Sequence, residues 1–188
     1  GGGAHIEGGL LQIRWTQFVS NSAKINGGGL YLKICTKVVI YQCRIKKNKA
    51  VSLGGAIYSE NTRKNMISGT SFYYNQGRSG GSLYFNTFDY SAISWSFFQK
   101  NMAHYRGGCF FFKSPYQNAQ SKVLVNNASF LNNIAEEKGT VIYTNNIRAV
   151  NFNLAKVFSK DGLLSQSSLI NIHCRKLILN RMHLSGLV

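Results

Sequence analysis

The chain has 188 residues, 44 % hydrophobic and 13 % aromatic, and carries 22 Lys+Arg against 6 Asp+Glu for a formal net charge of +16. That apolar fraction excludes a disordered basic tail, which lacks the apolar surface to offset its ordering entropy, and no apolar run reaches the roughly 18–20 residues that span a bilayer. Six acids leave little for paired-carboxylate chemistry or hard-metal sites, and four cysteines are too few for a disulfide scaffold of this size.

From the N-terminus onward one segment recurs. It opens on an aromatic or aliphatic residue, places Asn three residues later, and closes on Gly-Gly, a spacer, an aliphatic and an aromatic residue. Gly1-Gly2-Gly3-Ala4 reads as the tail of a copy, so more chain is expected before Gly1. The first copy has Phe18, Asn21, Gly27, Gly28, Leu30 and Tyr31. The second has Ile45, Asn48, Gly54, Gly55, Ile57 and Tyr58; the third has Phe72, Asn75, Gly80, Gly81, Leu83 and Tyr84. The fourth has Phe98, Asn101, Gly107, Gly108, Phe110 and Phe111; the fifth has Phe130, Asn133, Gly139, Thr140, Ile142 and Tyr143. A worn sixth copy runs from Phe158 through Asp161 to Ser167-Ser168. The first glycines and position 167 are spaced by 27, 26, 27, 32 and 28 residues. The long step holds Pro115, the single proline, and reads as a turn expanded by about five residues.

The copies are rich in Ser, Asn, Gly, Thr, Tyr, Phe and Ile, a strand-and-turn composition. Between them lie alternating stretches such as Ile93–Phe97 and Val150–Leu154, whose period of two argues strands. Three short strands and three turns fit one rung. The expected fold is all-β, a parallel β-helix of about seven rungs of ~27 residues, ~30 Å long at the strand spacing. The rungs fall near 1–17, 18–44, 45–71, 72–97, 98–129, 130–157 and 158–188, as a single β-helix segment of a larger protein. Phe18, Phe72, Phe98, Phe130 and Phe158 are expected to stack in the core with Ile45 in the same slot, each preceded by a small residue (Thr16, Cys43, Thr70, Ser96, Ala128). The glycine pairs mark corners that need positive φ or no side chain. The Asn column suits a left-handed turn or an amide ladder.

Phe-x-x-Asn followed by Gly-Gly-Ala-Ile resembles the repeat of the chlamydial polymorphic membrane proteins. Gly54-Gly55-Ala56-Ile57 has that tetrapeptide letter for letter, and Phe18–Asn21, Phe72–Asn75, Phe98–Asn101 and Phe130–Asn133 carry the other half. Similar repeats occur in large protist surface proteins. The resemblance covers residues 1–170. It implies a right-handed parallel β-helix of the pectin-lyase-like superfamily, cell-surface display, and adhesive or structural work. The chain departs from the family in lacking an outer-membrane barrel segment and in its strong positive charge.

Single-chain β-helices are often polysaccharide lyases or hydrolases, and these need acids clustered on one face. Glu7, Glu60, Asp89, Glu136, Glu137 and Asp161 fall at different repeat phases and form no column. His5, His104, His173 and His183 with Cys35, Cys43, Cys109 and Cys174 match no zinc spacing. No catalytic residue, metal or cofactor is expected. Two features point to partners instead. One is the aromatic column Tyr31, Tyr58, Tyr84, Phe111 and Tyr143, read as packing along the rod or as a ladder for a glycan or second chain. The other is the cluster Arg44, Lys46, Lys47 and Lys49, with turn pairs such as Tyr73-Tyr74 and Gln99-Lys100 beside it in the repeat. The charges show no common repeat phase, so no continuous basic stripe is expected, and nucleic acid is not the expected partner. Asn127 opens the one N-glycosylation sequon, expected on a strand near the core phase.

The sequence thus reads as a non-enzymatic structural or adhesive segment of a cell-surface or filament-forming protein, without a direct membrane span. Its expected partners are other protein subunits, further rungs of the same chain, or anionic glycans. The alternatives are a carbohydrate-active β-helix enzyme and a basic scaffold subunit of a large intracellular assembly.

Overall fold

A computed structural model describes residues 1–114, 120–158 and 169–185. The chain winds as a parallel β-solenoid of about six turns, close to the expected seven, with no helix among the described residues. The first coil holds β1 (Ala4–Glu7), β2 (Leu10–Arg14), β3 (Gln17–Val19) and β4 (Ser22–Ala23). The second repeats this as β5 (Leu30–Lys33), β6 (Lys37–Tyr41), β7 (Arg44–Lys46) and β8 (Lys49–Ala50). The third is β9 (Ile57–Glu60), β10 (Lys64–Ser68), β11 (Ser71–Tyr73) and β12 (Gln76–Ser79). The fourth is β13 (Leu83–Asn86), β14 (Tyr90–Ser94), β15 (Phe97–Gln99) and β16 (Met102–Arg106). The fifth is β17 (Phe110–Lys113), β18 (Lys122–Asn126), β19 (Ser129–Leu131) and β20 (Ile134–Ala135). Beyond it, β21 (Ile142–Asn153) covers two faces in one strand and is followed by β22 (Lys156–Phe158). Then β23 (Ile170–Asn180) pairs with β21, and β24 (His183–Ser185) pairs with β22.

Each strand pairs in parallel with its counterpart one coil away, so the coil has four faces rather than the three strands expected. On the first face Leu30 lies beside Ile57, Ile57 beside Leu83, Leu83 beside Phe110 and Phe110 beside Ile142. Alternate residues on a strand point to opposite sides, so these side chains fill the core.

The corners explain the fourth face. Between the second and third faces the chain turns on one residue of positive φ: Trp15 (50°), Gln42 (50°), Gly69 (59°), Trp95 (50°), Asn127 (49°) and Leu154 (54°). Between the third and fourth it turns on Ser20, Lys47, Tyr74, Lys100 and Asn132. Ile34, Asn61, Thr87 and Asn146 serve the corner between the first and second faces, and Gly27, Gly54, Gly80, Gly107 and Gly139 close the coil. The closing corner alone demands glycine. A Cβ on Gly54 would sit 2.3 Å from the Ile57 carbonyl oxygen, and one on Gly55 2.2 Å from that of Gly81. The other corners point outward, where a side chain has room.

Inside, Phe72 stacks on Phe98 at 4.6 Å and 6°, and Phe98 on Phe130 at 5.3 Å and 14°. Phe110 meets Phe98 edge-on at 4.7 Å and 88°. Ile45 fills the same slot one coil earlier. One expectation fails here. Phe158 is exposed, and Val157 occupies the slot over Phe130. Val157 lies 27 residues after Phe130 and two after buried Ala155, which extends the small-residue column; Phe158 is one residue out of phase. The Pro115 turn and the rest of the sixth copy, Asp161 and Ser167-Ser168, lie outside the described residues.

Candidate partner surfaces

The Asn column is a buried ladder. The Oδ1 of Asn75 accepts from the backbone N–H and the Nδ2 of Asn48, both at 3.0 Å, while its own Nδ2 donates to the Ile45 carbonyl (2.9 Å) and to Asn101 Oδ1 (3.0 Å). The same pattern links Asn21 to Asn48 and Asn101 to Asn133. None of these Asn residues is left-handed; the residue before each of them is. The amide is thus free to bond along the axis, and its role is structural.

The aromatic column also runs along the rod, on the outer side of the first face. Tyr58 and Tyr84 lie at 5.6 Å, Tyr84 and Phe111 at 4.6 Å, and Phe111 and Tyr143 at 4.8 Å. His5 caps Tyr31 edge-on at 4.6 Å. Tyr58, Tyr84, Phe111 and Tyr143 form a second apolar cluster, buried except for half-buried Tyr31, with Leu53 packed against it. Ring faces that meet one another leave no open platform for a ligand, so the column packs along the rod. Glu60 joins two of its members, accepting from the Tyr31 and Tyr58 hydroxyls at 2.8 Å each. Burial first, then the Glu60 hydrogen bond and charge, pushes Tyr31 up to about 12 and Tyr58 higher still. Burial pushes Tyr84 up to about 12. At the far end Arg106 lies 4.4 Å over Tyr105 and 5.1 Å over Tyr143.

The acids are dispersed, though Glu7 and Glu60 do share a column two coils apart with Lys33 between them. Glu7 pairs with Lys33 at 3.6 Å, Asp89 with Arg63 at 3.2 Å, Glu136 with His104 at 2.9 Å and Glu137 with Arg106 at 3.6 Å. Among the described residues no three His, Cys, Asp or Glu side chains gather around a metal position. The four cysteines are free thiols. Burial pushes Cys43, Cys109 and Cys174 above their ordinary range, the opposite of what a nucleophilic thiol needs.

The basic cluster stands in the open. Arg44 and Lys46 project from the third face, Lys47 from its corner and Lys49 from the fourth. Aromatic residues of the next coils lie beside them: Arg44 sits 5.8 Å over Tyr73, Tyr73 lies 5.7 Å from Phe97, and Lys100 sits 5.5 Å over Tyr74. Exposed cation–aromatic contacts of this kind stabilise by roughly 0.5–1 kcal/mol each.

A row of charge that the repeat phase hid lies on the second face. Lys37 pairs in register with Lys64, Lys64 with Tyr90 and Tyr90 with Lys122; the row runs on through Ala149 to Lys176. The register thus gathers four of the 22 basic residues into a row broken by Tyr90 and Ala149, which is not a continuous stripe. Lys37 and Lys64 lie ten residues after their first glycines, but Lys122 lies fifteen after Gly107, because the enlarged turn falls between them. Asn127 is displaced from expectation: it turns the corner at φ 49°, half-buried, rather than lying on a strand.

A model of the Chlamydia polymorphic membrane protein (Chlamydia_PMP) repeat matches residues 42–60, which carry Ile45, Asn48 and Gly54–Tyr58. No curated protein and no solved structure gives a significant match. The chain is a parallel β-solenoid that is similar, over that coil, to the polymorphic membrane protein repeat.

Proposed function

We propose that the chain is a non-enzymatic rod segment of a larger cell-surface protein, with a pectin-lyase-like solenoid and an adhesive role. The observation that carries this is the division of labour in each coil. Phe, Asn and Gly columns build the core and the closing corner, while the outward corners accept Trp, Gln, Lys, Tyr or Ser without altering the path. Such a rod presents variable side chains at fixed spacing. The matched repeat family, named for membrane proteins, supports surface display. The dispersed acids support a role without catalysis. The partner contact is the third face and its corner, where Arg44, Lys46 and Lys47 stand among Tyr73, Tyr74 and Phe97, and the partner is an acidic subunit or surface.

The test has two arms. Antibodies to the chain should label intact, unpermeabilised cells. Beads coated with the chain should adhere to cells in a salt-sensitive way, with about tenfold weaker adhesion after Lys46/Lys47/Lys49→Ala. A second reading has one observation in its favour: four free thiols suit a reducing compartment and hence a basic subunit of an intracellular assembly. Labelling only after permeabilisation would select it.

A further inference from the structure

The outer side of the second face is divided into three lanes parallel to the rod axis. The first is the cationic lane of Lys37, Lys64 and Lys122, interrupted by Tyr90. Two residues along each strand runs an apolar lane of Val39, Met66, Ala92 and Leu124. Two further on lies a hydroxyl and amide lane of Ser68, Ser94, Asn126 and Asn153. Trp95, 68 % exposed, stands at the corner beside that lane. At the cationic edge a cleft of about 510 Å³ opens between Lys64, Tyr90 and Lys122, with Arg63, Gln120 and Arg148 on its walls and Asp89 as the one acid among its described lining residues. Asp89 pairs with Arg63, so the cleft as a whole remains positive.

We propose that this face binds a linear acidic polysaccharide lying along the rod. This deepens the adhesive reading by naming a ligand class and a surface distinct from the third face. The lanes fit the chemistry of such a chain. Its carboxylate or sulfate groups meet the lysines and the cleft, its C–H faces lie on Met66, Ala92 and Leu124, and its hydroxyls reach Ser94 and Asn126. The lanes lie ~7 Å apart along the strands, and lysines one or two coils apart repeat at ~4.8 and ~9.6 Å along the axis. A single-stranded nucleic acid would stack its bases on aromatic platforms that follow the charges; among the described residues Tyr90 alone shares the lysine lane, and the exposed Tyr41, Trp15 and Trp95 lie at the opposite edge of the face.

The test titrates the full chain with dextran sulfate, polygalacturonate, neutral dextran and single-stranded DNA across a salt series, reading tryptophan fluorescence and a label-free binding signal. Binding to the two acidic polysaccharides and not to neutral dextran is expected. Lys37/Lys64/Lys122→Gln should weaken it by about tenfold or more and flatten the salt slope, while Lys46/Lys47/Lys49→Gln, an equal charge loss, should change it less than about twofold. Met66→Glu should weaken it by about fivefold or more through charge and lost apolar contact. These substitutions are on the surface, and unchanged circular dichroism confirms the fold. Equal loss in the two triple variants would reduce the effect to net charge and overturn the proposal. So would tighter binding of DNA with the same dependence on Lys37, Lys64 and Lys122, or no binding to either acidic polysaccharide. Intracellular labelling with polysaccharide binding intact would overturn the adhesive reading alone.

Discussion

At the scale of single residues, the left-handed corners divide into those that require glycine and those that tolerate a side chain. Gly54 combines φ +65° with a carbonyl oxygen 2.3 Å from any added Cβ. Gly69, at φ +59°, has its nearest obstacle in the flexible Gln42 side chain at 3.2 Å, and its counterparts in other coils are Gln42 and Trp95. Gly54→Ala should therefore destabilise by about 2 kcal/mol or more and Gly69→Ala by about 1 kcal/mol or less, as shifts in urea midpoint at constant slope. Asn75→Ala removes the acceptor of two donors on Asn48 and the donor to the Ile45 carbonyl in a buried site. Its expected cost is about 3 kcal/mol by the same measurement. The importance of both positions could be read from recurrence alone. Which residue of the Asn turn is left-handed could not, because Ser20, Lys47, Tyr74, Lys100 and Asn132 share no side-chain chemistry.

At the scale of the strand and its ladder, alternation made the Leu30 and Tyr31 columns legible as two sides of one sheet, and the inward one is the Leu30 column. Burial of the outward column was not legible, since it depends on how Leu53 and the Arg106 corner lie against it. That burial gives the ladder a pH dependence. Tyr31 and Tyr84 are pushed up to about 12 in the fold from 10.0 for a free tyrosine, and Tyr58 higher. A raised folded value means the unfolded chain loses its protons first. The stabilisation is thus complete below pH 10 and declines as pH rises toward 12. Alkaline titration should show tyrosinate absorbance and loss of strand dichroism rising together in that window. Tyr58→Phe, which keeps the ring and removes one ionisable hydroxyl, should move the loss to higher pH. The lysine lane illustrates a different gap between sequence and structure. Its register crosses an insertion, and counting from the glycines fails at the coil that the insertion enlarges.

At the scale of the whole molecule, each coil touches only its neighbours, so stability should scale with coil number. Deleting residues 54–79 removes one full period, from one closing glycine to the next, and joins Leu53 to Gly80 in the same corner geometry. The shortened chain should fold, with a denaturation slope reduced by roughly one sixth. Deleting only 54–66 should destabilise the chain far more, because residues 67–79 are half a coil and too short to run from one closing corner round to the next. The parallel pairing has a mechanical corollary as well. Hydrogen bonds between coils point along the long axis, so tension applied end to end would peel them apart coil by coil instead of shearing a whole sheet at once. A released coil of 27 residues would extend to about 90 Å of slack from a stacked height near 4.8 Å. A tether made of such coils would lengthen in steps under load, absorbing work at each one while the remaining coils kept their grip.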